Sequence, residues 1–424
     1  MTLSHFYEDV HGWFGFKKQY EDVAENIRSG DTIVELGSFY GRSAAFLAVE
    51  LENRNKNCRL VCIDTFCGSE MAPQTMPDQK LYADMRKRQK SWLPNFEENM
   101  RRGGVFDLIE TIQEDSASAA RHFKDRSVQY VMVDAAHDYK SVCNDMRAWL
   151  PKLKDGGILM GDDYSEKDWP GVVIAAREML PLSQIQDWPG PSFRYINSQP
   201  QIGVWRNEPT AGGELCFIPF VNSIELLKKA VESIRDLWPG TVVIDQSAAG
   251  LGDEPWLREV SVIRVPHKSL TFSQTLNWIR YEAWRRGADT FFFMHNDAEL
   301  LRPALLDEMR AALQDPKCGG VFAHYDALAA FRTDAWVDTG AWDEAFSWYW
   351  SDVDYYTRMK LRGWALTEWD GTDVLHHASA TLKTDPAVAQ RVHKDVSKAQ
   401  NHYRHKWGGL QGSEKYTMPY NGRL

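Results

Sequence analysis

The stretch VELGSFYGRSAAFLA, residues 34–48, decides the fold class. An apolar run ends at Gly37, a short turn leads to Gly41, and a helix-forming run follows. Strand, glycine turn and helix in that order open a β-α-β unit. Gly37 and Gly41 let the backbone come close to a ligand, and the first turn of the helix offers unpaired N–H groups. Such a turn lies at the carboxyl edge of a parallel sheet, where ligands bind in open α/β folds. Many nucleotide-binding proteins carry one turn of this kind, so its neighbours must be read with it.

Working outward, TIVELG (32–37) is the first strand and GRSAAFLAVEL (41–51) its helix. Strands follow at RLVCIDTF (59–66), FDLIETIQED (106–115), VQYVMVDAAH (128–137) and GGILMGDDY (156–164), with a helix over KSVCNDMRAWLPKL (140–153). The alternation predicts a parallel sheet covered on both faces. FRYINSQPQIGVWR (193–206) reads as a β-hairpin that ends the sheet antiparallel. NEPTAGGE (207–214) is rich in turn formers and reads as a linker. A second α/β series then begins: ELCFIPF (214–220), a helix from Ser223, TVVIDQS (241–247), SVIRVP (261–266), a helix over 273–286, and TFFFMHND (290–297). At 424 residues the chain exceeds one ordinary core. The expectation is an α/β protein of two domains, 1–208 and 209–424. The tail after about residue 385, rich in His, Lys and Gln, reads as a helical appendage.

Net charge is −10 and no dense Lys/Arg tract occurs, which argues against nucleic acid as a partner. No apolar run is long enough for a transmembrane segment, and MTLSHFYEDVHGWF lacks a signal-peptide layout, so a cytoplasmic location is expected. Cys58, Cys62, Cys67, Cys143, Cys216 and Cys318 fit free thiols; the first three cluster but lack a fourth ligand at zinc-site spacing. Seventeen Trp suit sugar platforms and cores equally. A homo-oligomer is compatible with all of this.

Asp64 ends the second strand, where an acid in such folds grips ribose hydroxyls. Asp115 and Ser116 end the third, where an adenine ring would lie. The motif E-x-G-x-x-x-G-x-S (35–43) differs from the G-x-G-x-x-G of NAD-binding proteins. These segments resemble the class I methyltransferases. VDAAHDYKSVCNDMRAWLPKLKDGGILMGDDY (133–164) and WPGV (169–172) are more similar to the macrocin O-methyltransferase-like group, which methylates hydroxyls of sugars and sugar-bearing natural products. The resemblance spans roughly residues 30–205. It implies a Rossmann-like sheet that binds S-adenosylmethionine through Glu35, Gly37, Ser38, Gly41, Ser43, Asp64, Asp115 and Ser116.

A sugar hydroxyl is a poor nucleophile at neutral pH, and a divalent cation eases loss of its proton. Mg²⁺ prefers carboxylate oxygens. Asp134 closes the fourth strand and Asp162 and Asp163 close the fifth, so the three can converge on one ion. Adjacent acids beside a third would repel unless a cation or protons sat between them. The resemblance implies metal ligands at these positions, with Asp134 also placed to take the proton. His137 is a second candidate base, or else caps the following helix.

In the second half, ELCFIPFVNSIELLKKAVESI (214–234), VIDQS (243–247) and SLTFSQTLNWIRYEAWRRGADTFFFMHNDAEL (269–300) resemble inverting glycosyltransferases of the GT-A fold, family 2. The resemblance, over about 214–380, implies a nucleotide-sugar donor held near Pro219, Asp245, Asn296 and Asp297. The family's metal motif is usually D-x-D; here it is His295-Asn296-Asp297. A carboxylate must hold the cation against the donor diphosphate, and His295 could ligate Mn²⁺, so Mn²⁺ or Mg²⁺ is implied. His376 or His377, with His377 preferred, stands where the family often has a metal-binding His. GAWDEAFSWYWSDVDYYTRMKLRGW (340–364) matches the acceptor-side motif and implies Asp352 as general base, with Asp354 as the neighbouring candidate. Ser351 replaces the first acid of the usual pair.

These resemblances imply a bifunctional enzyme of polysaccharide or glycan assembly. It would methylate a hydroxyl and transfer a sugar to a glycan or glycosylated acceptor. Two other readings remain: a natural-product tailoring enzyme, or a methyltransferase joined to a non-catalytic glycan-binding module.

Overall fold

The computed structural model describes residues 2–68, 90–198, 202–209, 213–267, 270–369, 371–377 and 386–423. The chain divides into two compact units, Met1–Ser198 with Gly422–Leu424, and Gln199–Asn421. All six cysteines are free. Among the described residues no helix is long and apolar enough to cross a membrane.

The first unit is built on seven strands: β1 (Thr32–Leu36), β2 (Arg59–Asp64), β3 (Ile109–Gln113), β4 (Val128–Val133), β5 (Leu153–Gly161), β6 (Ile185–Trp188) and β7 (Ser192–Asn197). Their order is β3-β2-β1-β4-β5-β7-β6. The first five are parallel, and β7 runs antiparallel to both β5 and β6. Side chains alternate along β1: Val34 and Leu36 pack beneath the helices Tyr139–Trp149 and Pro170–Met179. Ile33 packs on the other face, among residues of Lys17–Asn26, Arg42–Asn53 and Leu93–Arg102. Each face is apolar, as a parallel sheet with covered faces requires.

The expected hairpin over 193–206 does not form. β7 instead turns back on β6 through Pro189-Gly190-Pro191, with Gly190 at φ 84°. Val204–Arg206 forms β8, which belongs to the sheet of the second unit. Residues 199–201, between the two arms, lie outside the described residues. The expected boundary at 208/209 therefore moves to 198/199. Of the expected linker, 210–212 is likewise outside the described residues, whereas Glu208 lies 2.7 Å from Arg286 within the second unit. The Pro-Gly-Pro turn was the overlooked signal.

The second unit has β8 (Val204–Arg206), β9 (Leu215–Phe220), β10 (Thr241–Asp245), β11 (Ser261–Arg264), β12 (Thr290–Met294), β14 (Cys318–Ala323), β15 (Leu328–Arg332) and β16 (Ala365–Trp369) in the order β16-β14-β15-β12-β9-β10-β11-β8. A separate ribbon pairs β13 (Ala298–Leu300) with β17 (Val374–His376). β12 alternates like β1: Phe292 and Met294 enter one core, Phe291 and Phe293 the other. The helix Phe272–Arg285 starts at a capping box: Thr271 Oγ1 accepts from the Gln274 amide, and Gln274 Oε1 accepts from the Thr271 amide at 2.9 Å.

The tail is more than an appendage. The helix Pro386–Trp407 packs Tyr403 and Trp407 against Phe346. It also buries Lys406, whose Nζ lies 2.8 Å from Asp343 and 3.0 Å from Asp354. Burial alone would push the Asp343 carboxyl up, but Lys406 and His402 hold it well below the usual carboxylate range.

Two outcomes are expected. A fragment starting at residue 199 should melt higher than one starting at 209, by about 5 °C or more, because the shorter one loses β8 and the Glu208–Arg286 pair. Circular dichroism melts check this, and equal melting temperatures would contradict the placement of β8. Lys406→Met should cost about 3–5 kcal/mol, since it leaves buried carboxylates without their counter-charge. An unchanged urea midpoint would refute that role.

Candidate functional site

Backbone bonds carry the parallel ladders of the first sheet one residue past the strand ends. The Gly37 amide donates to Ile63 O at 2.9 Å, that of Asp134 to Leu36 O at 2.9 Å, and that of Asp162 to Val133 O at 3.3 Å. Gly37, Asp134 and Asp162 thus line one edge. Gly37 has φ 91°, and a Cβ there would lie 2.0 Å from Asp134 O. Only glycine fits. Phe39, within the turn, is left-handed at φ 47°. Its amide donates to Asp64 Oδ2 at 2.8 Å, while Phe66 N–H donates to Oδ1 at 2.6 Å. Asp64 therefore clamps the turn that precedes the helix Arg42–Asn53, and burial raises its pKa.

The remaining expected cofactor contacts surround this edge, several of them engaged within the protein. Glu35 is fully buried and accepts from Tyr20 Oη at 2.6 Å. Burial raises its pKa against the pull of Tyr20, Ser38 and Ser43. It braces the turn from beneath rather than facing solvent. Asp115 caps the helix Ser116–Ala119, accepting from the Ser118 amide at 2.9 Å. Ser116 Oγ donates to buried Asp145 at 2.5 Å. A strand-to-helix junction needs its first amides capped, and that need uses the Asp115 carboxyl.

Three acidic and imidazole groups converge at the same edge, but not the expected trio. Asp134, His137 and Asp163 bring their ligand atoms within 4.8 Å of one another. His137 Nε2 is 2.8 Å from Asp163 Oδ2 and 3.5 Å from Asp134 Oδ1. Asp162 leaves the group and accepts from Ser192 Oγ at 2.8 Å. Adjacent residues at a strand end point to opposite sides, and left-handed Asp163 (φ 58°) turns toward His137. The helix cap is Asp138, accepting from the amides of Lys140 and Ser141, so His137 is free of that duty. Its ring lies 4.4 Å from that of Trp169. Burial raises the Asp134 pKa to about 7. Burial pushes His137 down, but Asp134 and Asp163 outweigh it and lift its pKa to about 10. The imidazolium thus lies between two carboxylates, in a group whose donors suit a divalent cation.

Residues 11–15 were not anticipated here. Trp13, half exposed, stacks on Phe39 with centroids 5.8 Å apart. Arg42 donates to Gly12 O at 2.8 Å, and Gly15 borders Asp162. The only signal in the sequence was the aromatic density of HGWFGF (11–16).

In the second unit, β12 ends at Met294 and the His295-Asn296-Asp297 turn follows. The β13–β17 ribbon sets Ala298 opposite His376. This places His376 Nε2 3.2 Å from Asp297 Oδ1, with His295 in the same group. The expected ligand His377 lies outside it; strand alternation selects His376. Two imidazoles beside one carboxylate suit a first-row transition-metal ion better than Mg²⁺. Asn296 is nearly buried and donates to Asn222 O at 3.1 Å. Pro219 lies beyond Phe217, the last β9 residue paired with β12, where a missing N–H breaks no bond to that neighbour.

Asp245 departs from its expected role. It is 1% exposed, accepts from Ser247 and the Leu251 amide, and lies 3.2 Å from Arg264. It folds its own loop. Asp354, the alternative base, is fully buried against Arg358, Lys406 and Trp407. Asp352 opens the helix Ser351–Leu361, accepts from Tyr325 Oη, and has its pKa raised by burial and by Asp326. His324 and Tyr325 are both left-handed, at φ 50° and 58°.

A family model described as a methyltransferase domain matches residues 34–164. Similar solved structures include the O-methyltransferase NovP (17% identity, 43% of this chain, 78% of that one, TM-score 0.34). Others are CalS11, a TDP-rhamnose 3′-O-methyltransferase of calicheamicin biosynthesis (19%, 42%, 76%, TM-score 0.29), and an S-adenosylmethionine-dependent O-methyltransferase from Thermotoga maritima (14%, 44%, 68%, TM-score 0.31). No curated protein matches the chain. Within the first unit, residues 34–164 are thus similar to a methyltransferase domain.

Proposed function

We propose that the first unit transfers a methyl group from S-adenosylmethionine to a sugar hydroxyl. The observation that carries this is the Asp134–His137–Asp163 group at the sheet edge that bears the glycine turn, inside the matched domain. The turn from Gly37 to Gly41 takes the cofactor. Asp134 and Asp163 hold a divalent cation, whose chemistry is to ease deprotonation of a bound hydroxyl. Asp134 also stands to accept that proton. His137 keeps the two carboxylates apart and oriented.

The second unit, in our reading, transfers a sugar from a nucleotide donor. The order β11-β10-β9-β12 with β15 antiparallel beside it supports this. So do the His295–Asp297–His376 group at the end of β12 and half-buried Asp352. Asp297 and the two histidines hold the cation at the donor diphosphate, and Asp352 accepts the acceptor's proton. The engaged Asp245 favours the second reading, a glycan-binding module without turnover.

Asp134→Asn should keep S-adenosylmethionine binding but lower methyl transfer about a hundredfold or more, and EDTA should stop transfer. Mg²⁺ binding should weaken by up to tenfold per pH unit as pH falls below about 7, because Asp134 then takes a proton. Full transfer in excess EDTA would exclude the metal. In the second unit, Asp297→Ala should weaken Mn²⁺-dependent binding of nucleotide sugars and also turnover. Asp352→Asn should bind the donor normally and turn over about a hundredfold more slowly. Radiolabelled donor assays decide. Binding without any turnover by the unaltered protein would favour the module.

A further inference from the structure

Tyr325 stands where two clefts meet. One, of about 540 Å³, runs past His324 and Glu368. The His324 ring is 5.5 Å from that of His376 and so leads to the Asp297 group. The other, of about 650 Å³, follows the helix Ser351–Leu361 to the C-terminal loop 411–417. Tyr325 and Glu368 line both, and Tyr325 Oη donates to Asp352. Asp352 is joined to the junction through this hydrogen bond.

The loop that closes the larger cleft is built rather than loose. The amides of Lys415 and Tyr416 donate to Trp407 O at 3.0 and 3.2 Å, and Tyr403 Oη donates to Glu414. The Tyr416 ring lies against Gly408, where a Cβ would approach it to 2.7 Å. Into the cleft this loop brings Lys415 and Tyr416, facing Lys360 and Glu368 across it. The lining therefore pairs aromatic rings with charged groups of both signs. Rings stack on the C–H faces of a pyranose, and mixed donors and acceptors bind its hydroxyls. A purely apolar ligand would leave these charges desolvated.

We propose that the larger cleft is the acceptor subsite, that its ligand is a saccharide, and that loop 411–417 determines which saccharide is accepted. This rests on the glycosyl-transfer reading of the second unit. The test applies the full chain to an array of printed oligosaccharides, alongside thermal shifts with UDP, GDP and dTDP in Mn²⁺. Lys360→Trp fills the cleft from an exposed helix position, and Tyr416→Ala removes the loop's ring. Each should weaken glycan binding at least tenfold and leave the nucleotide-induced shift unchanged. If Tyr416→Ala fails to fold, Lys360→Trp alone decides. Undiminished glycan binding in Lys360→Trp, or no printed glycan bound by the unaltered chain, overturns the proposal. Failure of the transferase reading shows separately, as no nucleotide-induced shift in the unaltered chain. A glycan signal lost in Lys360→Trp would then still support the cleft as a saccharide site.

Discussion

The close approach of Gly37 to the end of β4 governs the first unit. With no side chain at Gly37, its backbone rests against the carbonyl of Asp134; any Cβ would collide with it. The glycine turn and the carboxyl of Asp134 are therefore neighbours on one sheet edge. Asp64 completes the arrangement by accepting two turn amides, one of them from left-handed Phe39. A non-glycine residue in that backbone region costs on the order of 1–3 kcal/mol, so the surroundings must hold it there. The hydrogen bond from the Phe39 amide to Asp64 contributes to that hold.

Electrostatics then shape the Asp134–His137–Asp163 group. Burial alone would protonate Asp134 and neutralise His137. Placing the imidazole between two carboxylates reverses the second tendency but not the first. Above about pH 7, with Asp134 ionised, two carboxylates flank one imidazolium, and the net negative charge favours a divalent cation. Asp162 still feels the charge of Asp163, and the hydroxyl of Ser192 donates to it.

The second unit solves a similar problem with different parts. A two-stranded ribbon, β13 with β17, carries His376 across from about eighty residues away in sequence to meet Asp297. The helix Ser351–Leu361 offers one acid outward and one inward. Asp352 meets Tyr325 at the surface, and Asp354 anchors the C-terminal helix through Lys406 and Trp407. Two acids two residues apart thus take opposite duties, because helical geometry separates residues i and i+2 by about 200°.

Local signals carried the two α/β series, the strand ends and the groups of acids there. Period and glycine placement are enough to locate Gly37, Gly41, Asp64, Asp134 and Asp297 at the carboxyl edges of parallel sheets. They are not enough to say which of two adjacent residues faces inward. Asp163 rather than Asp162, His376 rather than His377, and the internal engagement of Asp245, Asp115 and Asp354 were all decided by pairing register and capping demands. The same holds for β8, whose partner β11 lies some sixty residues away, and for the tail that delivers Lys406. A sequence displays residue types and their local period. Which carboxyl remains available for a ligand depends on which backbone amides and cations the tertiary fold has already brought to it.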